Sequence, residues 1–345
     1  MKELLKKLCE MDGAPGYEDE IADFMINEFK KHCDKVERDK MDNVIAKKGD
    51  GKPIYMITAH MDEIGFVVKH IDEKGFIWFV TIGGFYEPTI SNRRVVIHTE
   101  KGKVFGVTGI KPPHIMEEEE KKKVIASKEM FIDVGAKNRS EAIELGIKIG
   151  DPIVFDQKFE LLHNNKITAK AIDDRVGCAV LIEMVKRLKN FKGTVYAVAT
   201  VQEEVGLKGA QVAAFKLKPD IGIAIDVCIP GDHPGIEEKH SPIKLGDGPV
   251  IEYIEASGKG LIADPKVNKW LEKTAEKYKI PFQTYVGSAG VTDAAIIYVS
   301  QEGIPSTSLG IPTRYIHSPV EVVDLNDIEN TIKLLVCALE EGYSF

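Results

Sequence analysis

Five apolar segments of the chain end in side chains able to bind a metal ion. "PIYMITAHMD" ends in His60 and Asp62, and "KITAKAIDDR" carries Asp173 and Asp174. "VYAVATVQEE" ends in Glu203 and Glu204, "DIGIAID" in Asp226, and "PSTSLGIPTRYIHS" carries His317. The set holds two imidazoles, several carboxylates and no thiolate, which suits Zn²⁺, Co²⁺ or Mn²⁺ rather than a cysteine-built structural site. So many carboxylates suit two ions better than one, with one aspartate shared. Two ions about 3.5–4 Å apart can hold a hydroxide between them and polarise a carbonyl. Glu203 and Glu204 raise a sharper question, because neighbouring side chains on a strand face opposite ways. One could be a ligand and the other an acid or base; both could also be ordinary loop residues. Each segment alone has a plain structural reading: a satisfied histidine, a salt-bridged "IDDR" turn, a solvated "QEE" strand end, or Asp226 capping a loop. Five strand ends with compatible ligand chemistry are harder to dismiss together. The other histidines (32, 70, 98, 114, 163, 233 and 240) lack that context.

These groups are far apart in the chain and need a sheet to collect them. In open α/β sheets, ligands bind beyond the carboxyl ends of the strands, so five strand ends can meet at one cleft. Residues 4–33 read as an amphipathic helix pair split by "DGAPGYE". The His60 strand follows, then a polar break and a second apolar run. From about 70 to 163 short strands alternate with glycine-containing turns, as in "GFIWFVTIGG" and "RRVVIHTEKGKVFGVTGI". Within this stretch "MEEEEKKK" (116–123) reads as a mobile, solvated loop. From 164 onward strands alternate with helices again, and "IENTIKLLVCALEEG" ends the chain as a helix closed by Gly342. The pattern predicts an α/β domain with a mixed or parallel sheet, residues 1–69 and 164–345, interrupted by a β-rich insertion at 70–163.

Composition narrows the partners. With 43% hydrophobic and 29% charged residues, the chain reads as globular rather than disordered. A net charge of -8 argues against general nucleic-acid binding. No apolar run reaches membrane length, and the first residues lack the core of a signal peptide. Five scattered cysteines without a Cys-x-x-Cys pair fit reduced thiols, so a cytoplasmic location is expected.

As a set, "TAHMDEIGF", "FIDVGAKNRSEAIELGIKIGD", "KAIDDRVGC", "VQEEVGLKGA", "AIDV", "GVTDAA" and "IPTRYIHSPVE" resemble the tetrahedral (TET) aminopeptidases. These are cytosolic di-metal peptidases related to glutamyl aminopeptidase. The resemblance covers nearly the whole chain in the expected order, with no departure at a ligand position. It implies that His60 and Asp226 hold one metal, Glu204 and His317 the other, and that Asp173 bridges them. A cis peptide from Asp173 to Asp174 is implied too, with Asp62 orienting His60 and Glu203 acting as general base. It also implies that the insertion is a β-barrel-like dimerisation domain, six dimers closing into a hollow dodecamer that admits peptides. The "EEEEKKK" block would then be a loop lining that interior.

The resulting expectation is a cytoplasmic aminopeptidase with two divalent ions, Zn or Co, acting on short peptides. A related deacylase or carboxypeptidase is the main alternative, with Arg314 as a candidate partner for a substrate carboxylate. A glycosidase using Glu203 and Glu204 would leave the histidines without a purpose, and intact ligands argue against a non-catalytic assembly protein. "VGSAGVTDAA" (286–295), rich in small residues, is read as leaving room for neutral, aliphatic N-terminal residues.

Overall fold

The computed structural model describes residues 1–343. An 11-stranded mixed sheet has four parallel strands at its centre, ordered Gly193–Thr200, Ile54–His60, Ile221–Cys228 and Ser306–Arg314. These strands are almost wholly buried, as expected for parallel strands covered on both faces, which therefore read as apolar runs. Alternation divides their side chains between two cores. Tyr55, Ile57 and Ala59 join the larger one with the helices Lys2–Glu10, Asp19–Phe29, Ile172–Arg187, Pro265–Tyr278 and Leu325–Glu341. Met56 and Val198 join a smaller one with Lys208–Leu217 and Ala294–Ile297 on the opposite face.

Flanking strands make the sheet mixed. Val44–Asp50 runs antiparallel to Gly193–Thr200, and Glu321–Asp324 runs antiparallel to both Ser306–Arg314 and Lys166–Ala169. Helix Ile172–Arg187, which carries Asp173 in its first turn, is buried along most of its length and apolar on nearly every side. Its fully buried Arg175 donates from Nε to the Met61 carbonyl at 2.8 Å and from Nη1 to the Leu8 carbonyl at 2.6 Å. That arginine fixes the helix start against the loop beyond His60.

The insertion is a closed six-stranded antiparallel barrel, in the order Gly65–Ile71, Ile77–Ile82, Phe131–Asp133, Gly102–Gly109, Arg94–Thr99 and Pro152–Phe155. Closure leaves no free strand edge. Phe66 fills its centre, with ring centroids 4.9 Å from Phe79 and 5.3 Å from Phe155, both edge-on. The apolar run after the His60 strand is thus already a barrel strand: Phe66 and Val68 point into the barrel core.

The expected loop at 116–123 contains a short helix, Glu118–Lys121, started by a capping box between Glu117 and Glu120. Lys121–Glu118 (2.6 Å) and Lys122–Glu119 (2.9 Å) pair three residues apart, so local pairing favours the helical turn. An ionic seam, buried at Asp12, Glu63 and Lys170, joins the barrel to the sheet domain. Asp12 meets Lys103 (2.8 Å) and His98 (3.0 Å) of the barrel and Lys170 (2.9 Å), which also binds Glu63 at 2.6 Å.

Candidate active site

Strand register brings the chemistry together. Thr200 lies beside His60, and Asp226 beside Gly310, in parallel pairs. The residues just past these positions emerge at one edge of the sheet, and helix Ile172–Arg187 delivers Asp173 to the same place. His60 Nε2 lies 3.0 Å from Asp173 Oδ1 and 3.9 Å from Asp226 Oδ1. His317 Nε2 lies 3.4 Å from Asp173 Oδ2 and 3.3 Å from Glu204 Oε1. The ligand atoms of His60, Asp173 and Asp226 all fall within 4.8 Å of one another, as do those of Asp173, Glu204 and His317. Asp173 therefore belongs to both groups and offers each a different oxygen. The Asp173–Asp174 peptide is cis.

Three buried carboxylates hold the backbone that carries these groups. Asp62 accepts the N–H groups of Glu203 (3.0 Å) and Glu204 (3.1 Å). Asp174 accepts those of His60 (3.2 Å) and Gly177 (3.0 Å). Glu321 accepts those of Asp173 (3.0 Å) and His317 (2.9 Å). Left-handed backbone at Ala171 (φ 55°), Gln202 (56°), Tyr315 (63°) and His317 (60°) turns the chain beside the ligand positions. The turn at Gln202 explains the adjacent glutamates: the strand has ended at Thr200, and both Glu203 and Glu204 line the cleft. The ring of His60 is held through Nδ1, whose nearer partner is the Asp62 carbonyl oxygen (3.1 Å), with the Asp62 carboxylate at 3.5 Å. Sequence reasoning passed over Glu321. Its signal was a glutamate inside the short buried strand "EVVD", where a carboxylate needs a partner.

The electrostatics call for a cation. Burial drives the pKa values of Glu203 and Asp226 well above the carboxylate range, and it raises that of Glu204 as well. Burial opposes charge on His317, but hydrogen bonds to Asp173 and Glu204 raise its pKa to about 11. Burial works the same way on His60, and Asp173 and Asp62 hold it well above the usual histidine value. Two imidazoles are too few to neutralise this many buried carboxylates, and buried charge persists only when paired or bound to metal. The donor set fits hard-to-borderline divalent cations, with every ligand already facing its neighbours.

A cavity of about 850 Å³ opens over the cluster. Small residues of the 286–295 segment (Ser288, Ala289 and Gly290) form part of its wall. Arg314, the candidate for binding a substrate carboxylate, is instead locked to Asp232 by Nε (3.1 Å) and Nη2 (2.7 Å). No lysine or arginine lines the cavity among the described residues. This argues against a carboxypeptidase, which must bind a terminal carboxylate.

The sequence profile of the M42 glutamyl aminopeptidase family matches residues 42–334. The chain is 38% identical to the lysyl aminopeptidase of Pyrococcus furiosus, covering 98% of this chain and 96% of that one. Its fold superposes on an aminopeptidase of the archaeon Desulfurococcus kamchatkensis with a TM-score of 0.95, 43% identity and 99% and 95% coverage of the two chains. The TET1 peptidase of Pyrococcus horikoshii, whose structure is described as assembling into a tetrahedron or a large octahedral shell, matches with a TM-score of 0.89 and 35% identity, covering 99% of each chain.

Proposed function

The chain belongs to the M42 glutamyl aminopeptidase family, and from that premise we propose that it is a di-metal aminopeptidase trimming short peptides from their N-termini. The observation that carries this reading is Asp173, which points one carboxylate oxygen at His60 and the other at His317. In this assignment His60 and Asp226 hold one divalent cation, Zn²⁺ or Co²⁺, Glu204 and His317 hold the second, and Asp173 serves both. Bound there, such cations supply Lewis acidity towards a peptide carbonyl and lower the pKa of water.

The remaining work falls to the protein. Glu203 takes a proton from the attacking water and returns it to the departing amine, and its burial favours the proton-accepting role. Asp62, Asp174 and Glu321 fix the ligand-bearing backbone so that the side chains need not reorganise when substrate enters. Hydrolysis is read out with free and N-acetylated aminoacyl p-nitroanilides on the metal-loaded protein. Only the free-amine substrates should be cleaved. Equal turnover of the acetylated compounds would exclude an aminopeptidase.

The barrel carries no metal-competent cluster among the described residues. Its strands expose Val80, Phe105 and Val107, and exposed apolar side chains of this kind favour contact with another copy. The proposed assembly is a dodecamer of six dimers joined through the barrels, with the cavities facing an enclosed chamber in the cytoplasm. No helix among the described residues is long and apolar enough to cross a membrane. Light scattering is expected to give the mass of a dodecamer. A fully active monomer would remove the chamber and leave the chemistry standing.

A further inference from the structure

Beyond the catalytic cluster, the cavity wall contains a second group of acids. Glu252 and Glu255 both line it, only 6% and 2% exposed. Their environments differ. Glu255 is satisfied: it accepts the Thr292 N–H at 3.1 Å and the Thr292 hydroxyl at 2.7 Å. Among the described residues, the side chain of Glu252 has neither a hydrogen-bond donor nor a cation beside it; Asn268 and Thr307 donate to its backbone carbonyl instead. Burial, reinforced by the charge of Glu255, drives its pKa well above the carboxylate range. A buried carboxyl group without a donor is costly, so its persistence in a cavity wall points to a guest.

Its position can be read from the sheet. Strand Val250–Ile254 pairs antiparallel with Ser306–Arg314, placing Glu252 opposite Ser308. A side-chain carbon on Gly310 would come within 2.9 Å of Glu252 Oε1. The absence of a side chain at Gly310 thus lets the carboxyl group lie over that strand. Gly310 in turn pairs with Asp226. The Glu252 carboxyl therefore sits on the face of the sheet that carries Asp226, displaced from that strand by about one strand spacing, roughly 5 Å.

We propose that Glu252 is the specificity determinant of a subsite for a cationic side chain, lysine or arginine, on the residue being removed. This rests on the aminopeptidase reading. The α-ammonium group of a substrate is one bond from the carbon bearing the scissile carbonyl, so it must stay beside the catalytic carboxylates. A group one strand further away is reached by a side chain. Leu207, Ile229, Ile236 and Val291 supply apolar wall for a methylene stem, which long cationic residues pack while their charged end finds a partner. No lysine or arginine among the described residues lines the cavity to compete for Glu252. The arriving ammonium or guanidinium group ionises Glu252 and pairs with it.

The test compares kcat/KM for lysyl, arginyl, leucyl and methionyl p-nitroanilides, with zinc-loaded wild type and the Glu252→Gln and Glu252→Leu variants. Wild type should favour lysine or arginine over leucine by at least about tenfold, a modest demand for a site built around a buried polar partner. Both variants should collapse that ratio, chiefly through KM for the cationic substrates. Product inhibition of the unmodified protein by lysine against norleucine tests the same point without a substitution; lysine should inhibit at lower concentration. Leucine cleaved as well as lysine by wild type, norleucine inhibiting as strongly as lysine, or a ratio unchanged in Glu252→Gln would overturn the subsite while leaving the aminopeptidase intact. Cleavage of none of the four substrates would remove the aminopeptidase reading and the subsite with it.

Discussion

Replacing Asp173 by alanine is expected to remove both cations and all measurable peptide hydrolysis. No other proposed ligand belongs to both groups: Asp173 gives Oδ1 to the His60 side and Oδ2 to the His317 side. Loss of an outer hydrogen-bond partner of a metal ligand costs about 10–100-fold in affinity or activity, and loss of a shared ligand should exceed that range. Asp226→Ala and Glu204→Gln should each weaken one cation and spare the other, because each belongs to one group only. Metal content by mass spectrometry, with leucyl and lysyl p-nitroanilide turnover on the same samples, checks all three variants. In the unmodified protein a strong chelator should abolish turnover, and added Zn²⁺ or Co²⁺ should restore it. Full turnover with no bound metal, or two ions retained by Asp173→Ala, would defeat the di-metal assignment.

The ligand candidates were legible because their local signal and their tertiary placement coincide. A parallel strand covered on both faces must be apolar, so the first polar residues beyond it mark the sheet edge, as "ITAHMD" and "IAID" do. The mixed sheet and the β-rich insertion were legible for the same reason, since both follow from local periodicity. The backbone clamps were harder to see. Nothing near Glu321 in sequence indicates that its carboxylate will accept N–H groups from both Asp173 and His317, 148 and 4 residues away. That arrangement exists only once Lys166–Ala169 and Glu321–Asp324 are paired.

The acids of the cavity wall were hidden by a backbone irregularity. In "VIEYIEAS", Glu252 and Glu255 are three residues apart, and a regular strand would send them to opposite faces. The pairing of Val250–Ile254 with Gln283–Val286 slips between Glu252 and Ile254. A slip of this kind inserts an unpaired residue and re-aims the side chains beyond it, so both glutamates reach the cavity. The small residues of 286–295 describe the space in the cavity, whereas these two acids come from a different strand and the residue just beyond it.

Glu203→Gln is expected to lower kcat by roughly 10²–10⁴ while both cations remain bound, the range associated with losing a general acid–base group. The substitution preserves size and polarity and removes only the ability to accept a proton. Glu203 lies outside both three-residue ligand groups, although it lines the same cavity. Its backbone N–H is fixed by one oxygen of Asp62, and that of Glu204 by the other. One carboxylate therefore sets the relative placement of the base and the ligand, and an amide at 203 should leave that placement undisturbed. Glu204→Gln, by contrast, alters a side chain 3.3 Å from His317 Nε2 and should release or loosen a cation. Metal analysis and single-turnover kinetics on the two variants separate the roles. If Glu203→Gln loses an ion and Glu204→Gln keeps both with depressed kcat, the assignments are exchanged. If both variants lose metal, the adjacent carboxylates act as a joint ligand and the base must be sought elsewhere in the cavity.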